Sequence, residues 1–440
     1  MLKIVIAGAG IGGLVTALSL HQAGFRDIAV YERASELRPL GVGINVLPHA
    51  VRELTELGLA EQLESIGVKP SRLSYFNRFG QLIWSEPRGI DAGYTWPQLS
   101  VHRGEFQMLL AAEVGRRLGP GAIRLDHRLV GVEHGAVQDR ARFERSNGEI
   151  VEVDADAVIG ADGINSALRA QEYPDDGRPV WNGLILWRGT ATIPSYLDGR
   201  TMIMAGDGEQ KFVAYPLSSP DDEPGRTRIN FIAERRAPEG TTELADWNLP
   251  IDPAPIARLF SEWSFDWLDV PGAIDVSDEI LEYPMIDRNP LPRWRFGSST
   301  LLGDAAHAMY PNGSNGASQA ILDARTLAFH LANAIAGLPV GADAETTAPV
   351  IRSALDAYET DRRPVTARLL EMTRQLGPER VMQIAYDRAP QGFTDIAEVI
   401  PADELAKIAE DYKRTAGFHP AALNQRASLS ATIERPSLAD

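Results

Sequence analysis

Residues 8–13 read GAGIGG, between the apolar run LKIVIA (2–7) and a segment in which Ile11, Leu14 and Leu18 recur at helical spacing. Gly8, Gly10 and Gly13 therefore form GxGxxG at a strand-to-helix junction. A second apolar run, IAVYER (28–33), carries Glu32 near its end, 19 residues after Gly13. This pattern suits recognition of phosphates and sugars. Gly8 permits a tight turn, Gly10 lets a pyrophosphate approach the backbone, and Gly13 lets helix and strand pack closely. The loop from Gly8 through Ile11 and Gly12 to Gly13 opens a helix whose free N–H groups attract an anion. Glu32 can accept hydrogen bonds from a ribose diol. The site reads as one for an adenine dinucleotide, and the motif alone does not choose between NAD and FAD.

A second constellation lies at 301–321, LLGDAAHAMYPNGSNGASQAI. Gly303 and Asp304 sit at the tip of an apolar strand. Pro311 and a Gly/Asn/Ser run follow, opening into a helix near Gly316 and Ala317. A carboxylate at a strand tip can hold hydroxyl donors. The small residues at 313–317 form a loop that exposes backbone N–H groups, and the helix start offers unsatisfied N–H groups and the positive dipole end.

Other chemistries are excluded by what is missing. Cysteine is absent, and the eight histidines show no HExxH spacing. No disulfide framework, thiolate nucleophile or metal site is expected. No GxSxG elbow is present. Acidic residues number 60 against 43 basic ones, a net charge of −17. That balance argues against nucleic acid or an anionic membrane as partner, because both need clustered Lys and Arg. The N-terminal apolar run is too short for a signal peptide, and no stretch has the length of a membrane span. A soluble cytoplasmic protein is expected.

The elements that must position these residues are those of an α/β fold. Helices are expected at 48–57, within 101–119 after a short strand end and with Phe106, Leu109, Leu110 and Val114 on one side, at 316–336 and at 349–375. A small β-meander ends in the buried strand ADAVIG (155–160), and SSTLLGD (298–304) is another buried strand. From 180 to 235 the runs GLILWRGTATI, TMIMAG, KFVAYPLS and TRINFIAER predict an antiparallel sheet with one face open to a ligand. The expectation is a Rossmann-type dinucleotide domain built from 1–70, 100–175 and 275–340. A mostly antiparallel sheet domain from 71–99 and 176–274 is inserted in it, and C-terminal helices occupy 341–440. The segment from Arg414 onward has little periodicity and reads as a tail or a dimer-wrapping arm.

Three ordered motifs, GAGIGG…YER, GADGINSALR (160–169) and LLGDAAHAMYPNGSNGA (301–317), resemble those of the single-component FAD-dependent aromatic hydroxylases, the group A flavoprotein monooxygenases. The resemblance spans roughly residues 1–375. The pieces GVGIN, WSEPRG, HRGEFQ, YPMIDRNPLPRW and NGASQAIL bring it nearest to the phenazine-carboxylate and salicylate hydroxylase branch. It implies FAD as cofactor, with Asp304 on its ribityl chain and Arg103 reaching the pyrophosphate or ribityl region. It places Arg33 and Val42 near the ribose and the isoalloxazine edge, Leu129 or Val130 near adenine, and Asp162 in a motif tied to FAD and NAD(P)H. Gly303, Pro311, Gly316 and Ala317 would line the flavin.

The activity so implied is hydroxylation of a small aromatic or N-heteroaromatic ring, phenolic or carboxylated, through a flavin C4a-hydroperoxide formed with O2. NADH or NADPH would dock transiently, since no second GxGxxG follows a strand. The WxWxIP signature of flavin halogenases is absent. A monomer or homodimer is expected.

Several residues admit two readings. Arg188 touches a substrate carboxylate or the flavin, or else forms a structural ion pair. Tyr215 is a pocket wall or an acid/base group. His307 reads as a packing or hydrogen-bonding residue, Trp263 and Trp267 as core, and Asp221-Asp222-Glu223 as a solvated loop. The rival functions are a flavin epoxidase, a flavin oxidoreductase without oxygen insertion, and a non-catalytic nucleotide-binding protein.

Overall fold

The computed structural model describes residues 2–219, 222–241, 249–339 and 341–433. Its first layer is a six-stranded sheet in the order Arg295–Phe296, Ser299–Leu301, Ala157–Gly160, Lys3–Ala7, Asp27–Tyr31, Ile123–Arg124. All neighbours are parallel except the first pair. The continuous apolar character of these strands follows from burial on both faces. The helices Ile11–Gln22, Arg103–Leu118 and Gly316–Ala336 pack together beside it, and the antiparallel meander of 128–155 lies against its strands. The parallel strands end at Ala7, Tyr31, Gly160 and Leu301. Gly8, Glu32, Ala161 and Leu302 therefore emerge along one edge, where ligands of such sheets bind.

The second layer is an eight-stranded sheet containing Val180–Pro194, Arg226–Arg236, Gln210–Pro216 and Thr201–Gly206, closed by Arg72–Phe76 and Leu82–Pro87. It is antiparallel but for the pairing of Thr201–Gly206 with Arg72–Phe76. Side-chain alternation gives it two different faces. Phe212, Ala214, Ile229, Phe231 and Ala233 pack beneath Ile256, Phe260 and Trp263. Trp263 is buried there and Trp267 packs against the same cluster. The other face presents Met202, Met204, Val213, Tyr215 and Ile232.

The helix expected from 349 begins earlier, at Ala344. Asp343 caps it by accepting the Thr346 N–H at 2.8 Å. Pro349 resembles a helix-initiating proline but lies inside, because the capping aspartate upstream starts the helix first. The segment after Arg414 also differs from a loose arm. Its described part folds back on its own chain: Arg52 donates to Leu423 O and Arg426 O at 3.0 and 2.6 Å, and Ile433 N–H donates to Ala23 O at 2.9 Å. Residues 434–440 lie outside the described residues, as does Asp221, while Asp222 and Glu223 are exposed.

Candidate active site and cofactor cleft

The glycines of the first loop divide by what surrounds them. Gly8 has φ +107°, and a Cβ there would stand 2.3 Å from Ala161 O. A Cβ on Gly13 would stand 2.0 Å from Gly8 O. Both are required by the fold. At Gly10 no protein atom lies within 4 Å of a Cβ position, and Gly10 lines the main cavity. The helix it opens has no side-chain cap. Among the described residues no acceptor faces the N–H groups of Ile11, Gly12 and Gly13. Gln107 steadies this loop by donating to Ala9 O at 2.7 Å. Glu32 accepts the N–H groups of Ala9 and Ala34 at 2.8 and 2.9 Å, one on each oxygen. Each oxygen keeps a second acceptor position for a sugar hydroxyl.

Asp304 stands at the tip of Ser299–Leu301 after Gly303, whose φ is +61°. Its carboxylate is exposed to the cavity and has no hydrogen-bond partner among the described residues. The turn beneath it is anchored from the helix Gly316–Ala336. Asp323 accepts the Gly303 N–H at 3.1 Å and the His307 Nε2–H at 2.6 Å. His307 is thus a buried hydrogen-bonding residue and does not reach the cavity. The helix Gly316–Ala336 likewise has no side-chain cap. The Asn315 amide instead donates to the Tyr412 hydroxyl at 2.7 Å. The N–H groups of Gly316, Ala317 and Ser318 have no acceptor among the described residues. No protein atom lies within 4 Å of a Cβ position at Gly316. The second opening motif therefore presents a free carboxylate and a free helix N-terminus to one cavity.

That cavity has a volume of about 360 Å³. Gly10, Gly12, Arg103, Asp304 and Pro311 lie on one side, and Met202, Met204, Val213 and Ile232 on the other. Arg103 opens its helix, with its N–H on Val42 O at 2.9 Å. Arg188 reaches Gly43 O at 3.4 Å and lies over the Tyr283 ring at 5.8 Å. It makes no ion pair among the described residues, and its buried Nε has no partner. The structural ion-pair reading is thereby removed. Tyr215 is buried beside Arg188. Burial pushes its hydroxyl well above the usual phenol range, with Arg188 opposing only in part.

The remaining expected residues fall elsewhere. Val42 is buried and leaves the lining to Gly43, Ile44 and Asn45. Leu129 is buried in the main core, opposite Phe143, and Val130 is half-buried beside it. Neither lines the cavity. Arg33 borders a separate groove with Ala34, Asp126 and Arg128. Asp162 also stands off the cavity wall formed by Ala161 and Gly163. Its Oδ2 accepts the Ala167 N–H at 2.7 Å, and its buried Oδ1 has no partner. Lys211, Glu234 and Glu379 line the cavity too, unforeseen in the sequence reading. Two of them carried a signal, because Lys211 alternates with Val213 and Tyr215, and Glu234 with Ile232, on an otherwise apolar strand face.

The FAD binding domain family matches residues 1–174 and 275–373. The chain belongs to this family. Phenazine 1,6-dicarboxylic acid hydroxylase PhzS of Lysobacter antibioticus is 44% identical to it over 84% of this chain and 89% of the relative. The 6-hydroxynicotinate 3-monooxygenase of Bordetella bronchiseptica is 29% identical over 74% and 81%. Among solved structures, a salicylate hydroxylase substrate complex superposes with a TM-score of 0.71 at 21% identity, covering 100% of this chain and 99% of the other. Klebsiella pneumoniae HpxO complexed with FAD and uric acid gives 0.69 at 23%, covering 93% and 97%. These two show the fold. The chain is an FAD-dependent aromatic hydroxylase that uses NAD(P)H. None of its helices among the described residues is long and apolar enough to cross a membrane.

The residues present fit FAD. Two uncapped helix N-termini can meet the pyrophosphate and the electron-rich edge of the flavin ring. Asp304 offers acceptors for ribityl hydroxyls. When bound, FAD supplies the electron transfer and oxygen activation that no side chain here can perform. Replacing Asp304 by Ala should weaken FAD binding roughly 10- to 100-fold, the loss of about 1.5–3 kcal/mol from hydrogen bonds to a charged group. Fluorescence titration of apoprotein with FAD reads this, and an unchanged affinity would remove Asp304 from the cofactor site.

Proposed function

We propose that this hydroxylase acts on a planar aromatic acid, carbocyclic or N-heteroaromatic, whose carboxylate is held by Arg188. One observation carries the reading: the cavity runs from the flavin-side loops to an apolar sheet face and contains an arginine with an unpaired, buried Nε. A buried unpaired donor calls for an anionic partner. Met202, Met204, Val213 and Ile232 present a flat apolar surface for the ring and limit water at the reacting centre. The names of the two sequence relatives specify N-heteroaromatic acids, which agrees with this choice. O2 is the proposed second substrate, in a cytoplasmic enzyme that is a monomer or homodimer.

The test is a screen of aromatic acids for stimulated NAD(P)H oxidation under ¹⁸O2, with peroxide measured in parallel. Label in a ring hydroxyl supports the reading. Turnover without label favours a flavin oxidoreductase, and an epoxide product favours that alternative. Replacing Arg188 by Met should raise KM about 10- to 100-fold, from loss of a charge-assisted hydrogen bond, and change kcat less. An unchanged KM would exclude Arg188 from carboxylate binding.

A further inference from the structure

Lys211 and Glu234 stand directly opposite on neighbouring antiparallel strands. Glu379 reaches them from the turn Gly377–Glu379. The Lys211 Nζ bonds Glu379 Oε2 and lies 3.2 Å from Glu234 Oε1. Each of the three residues is only 4% exposed, and all line the same cavity as Arg188 and Met204. Tyr215, whose ring crowds Gly43, is four residues from Lys211 on one strand. At about 3.4 Å per residue the two ends of this wall are roughly 13 Å apart.

The charges do not balance at the Lys211 end. Two carboxylates share one ammonium, and Glu234 Oε2 and Glu379 Oε1 have no protein partner among the described residues. An uncompensated buried negative charge is costly unless something supplies a proton or a positive group. Burial pushes the Glu234 carboxyl above the usual range, against the opposing pull of Lys211. Arg188 stands level with Ile232 and Val213, two positions along from the Lys211–Glu234 pair, with its guanidinium turned to Gly43 O and a donor to spare. The cavity is polarised along its length.

We propose that the Lys211–Glu234–Glu379 cluster selects the substrate end remote from Arg188, accepting a hydroxyl, amino or ring N–H donor, or a cationic group, and rejecting a second carboxylate. This rests on the aromatic-acid reading above. The cluster lines the cavity at the Lys211 end of its strand, so a group of the substrate turned towards it meets carboxylate acceptors. A carboxylate there would be left desolvated against like charge, the repulsive element by which a site discriminates.

The probes are matched pairs on one scaffold: phenazine-1-carboxylate with phenazine-1,6-dicarboxylate, and 3-hydroxybenzoate with 5-hydroxyisophthalate. Dissociation constants come from perturbation of flavin absorbance in the holoenzyme. The mono-acid of a pair should bind at least about tenfold more tightly than the diacid, the scale expected for like-charge rejection. The isosteric variants Glu379→Gln and Glu234→Gln should each bring that ratio within about threefold of one by leaving Lys211 with a single carboxylate partner, at unchanged flavin content. A wild-type ratio near one or favouring the diacid overturns the inference, as does a ratio the Gln variants leave intact. If aromatic acids are hydroxylated while the ratio is flat, only this inference falls. If no aromatic acid binds or turns over, the aromatic-acid reading falls with it.

Discussion

Gly10→Val is expected to give a folded chain that does not take up FAD. The backbone at Gly10 has φ −73° and ψ 178°, an extended conformation open to any residue. Beyond its chain neighbours no protein atom lies within 4 Å of a Cβ at this position, so a Cβ here meets open space. The valine branches would fill the space above the uncapped helix start where a pyrophosphate must approach the backbone. Affinity should fall by at least about 100-fold, since a blocked approach removes the contacts of the whole helix terminus. Purified variant protein should be colourless, with the circular dichroism and thermal midpoint of wild-type apoprotein. A yellow variant with normal affinity would displace the pyrophosphate from this loop. Gly13→Ala serves as the contrasting control. Its Cβ would meet Gly8 O at 2.0 Å, so that variant should lose stability whether or not FAD is present.

The second large effect is on stability. Asp323 is completely buried and gathers Gly303, His307 and Arg362 around one carboxylate. Replacing it with Ala leaves the buried Arg362 guanidinium without its ion-pair partner and releases the turn that carries Asp304. Breaking one side of a buried pair costs about 3–5 kcal/mol. Urea denaturation reads this, and a loss under about 1 kcal/mol would show that Gln319, which also accepts from Arg362, is partner enough. The pH dependence has a definite sign. Burial alone would raise the Asp323 carboxyl, but the charges and hydrogen bonds of His307 and Arg362 outweigh it and hold the group at about 2. Its folded-state value is depressed, so its stabilisation is present above the ordinary carboxylate range and is lost as pH falls from about 4 towards 2. Acid unfolding of Asp323→Asn should lack this contribution, flattening the stability curve in that window relative to wild type.

The outline of the cavity lined by Gly10, Asp304 and Gly316 was legible because it is made from local signals. GAGIGG needs only its neighbours to state a strand, a turn and a helix. Asp304 and the small residues before Gly316 sit in one continuous stretch. The four strands from 180 to 235 announced themselves by alternation, and the helix at 316–336 by its length and its glycine-rich entry. The misread start of Ala344–Arg374 was also local, since Asp343 carried a capping signal that Pro349 overshadowed.

What resisted reading depended on contacts between distant segments. Asp323 looked like an ordinary helix aspartate, and only the packing of its helix against the strand tip and Arg362 shows that it holds the Asp304 turn. Leu129 and Val42, which the resemblance places near the cofactor, are buried side chains that do not line the cavity. The segment after Arg414 shows little periodicity because its anchors are scattered: Phe418 and Leu423 in a small apolar cluster around the short helix Pro420–Leu423, and polar contacts to Glu53, Glu56 and Ala23.

The sequence by itself determined a strand, glycine loop and helix at one stretch and an acid at a strand tip ahead of a helix start at another, because backbone conformation and dipole direction follow from adjacent residues. Only the tertiary structure decided that Arg188 has no counter-charge among the described residues while Lys211 has two. Charge balance at a buried point is a sum over strands and turns separated by up to 168 residues, and no local pattern contains that sum.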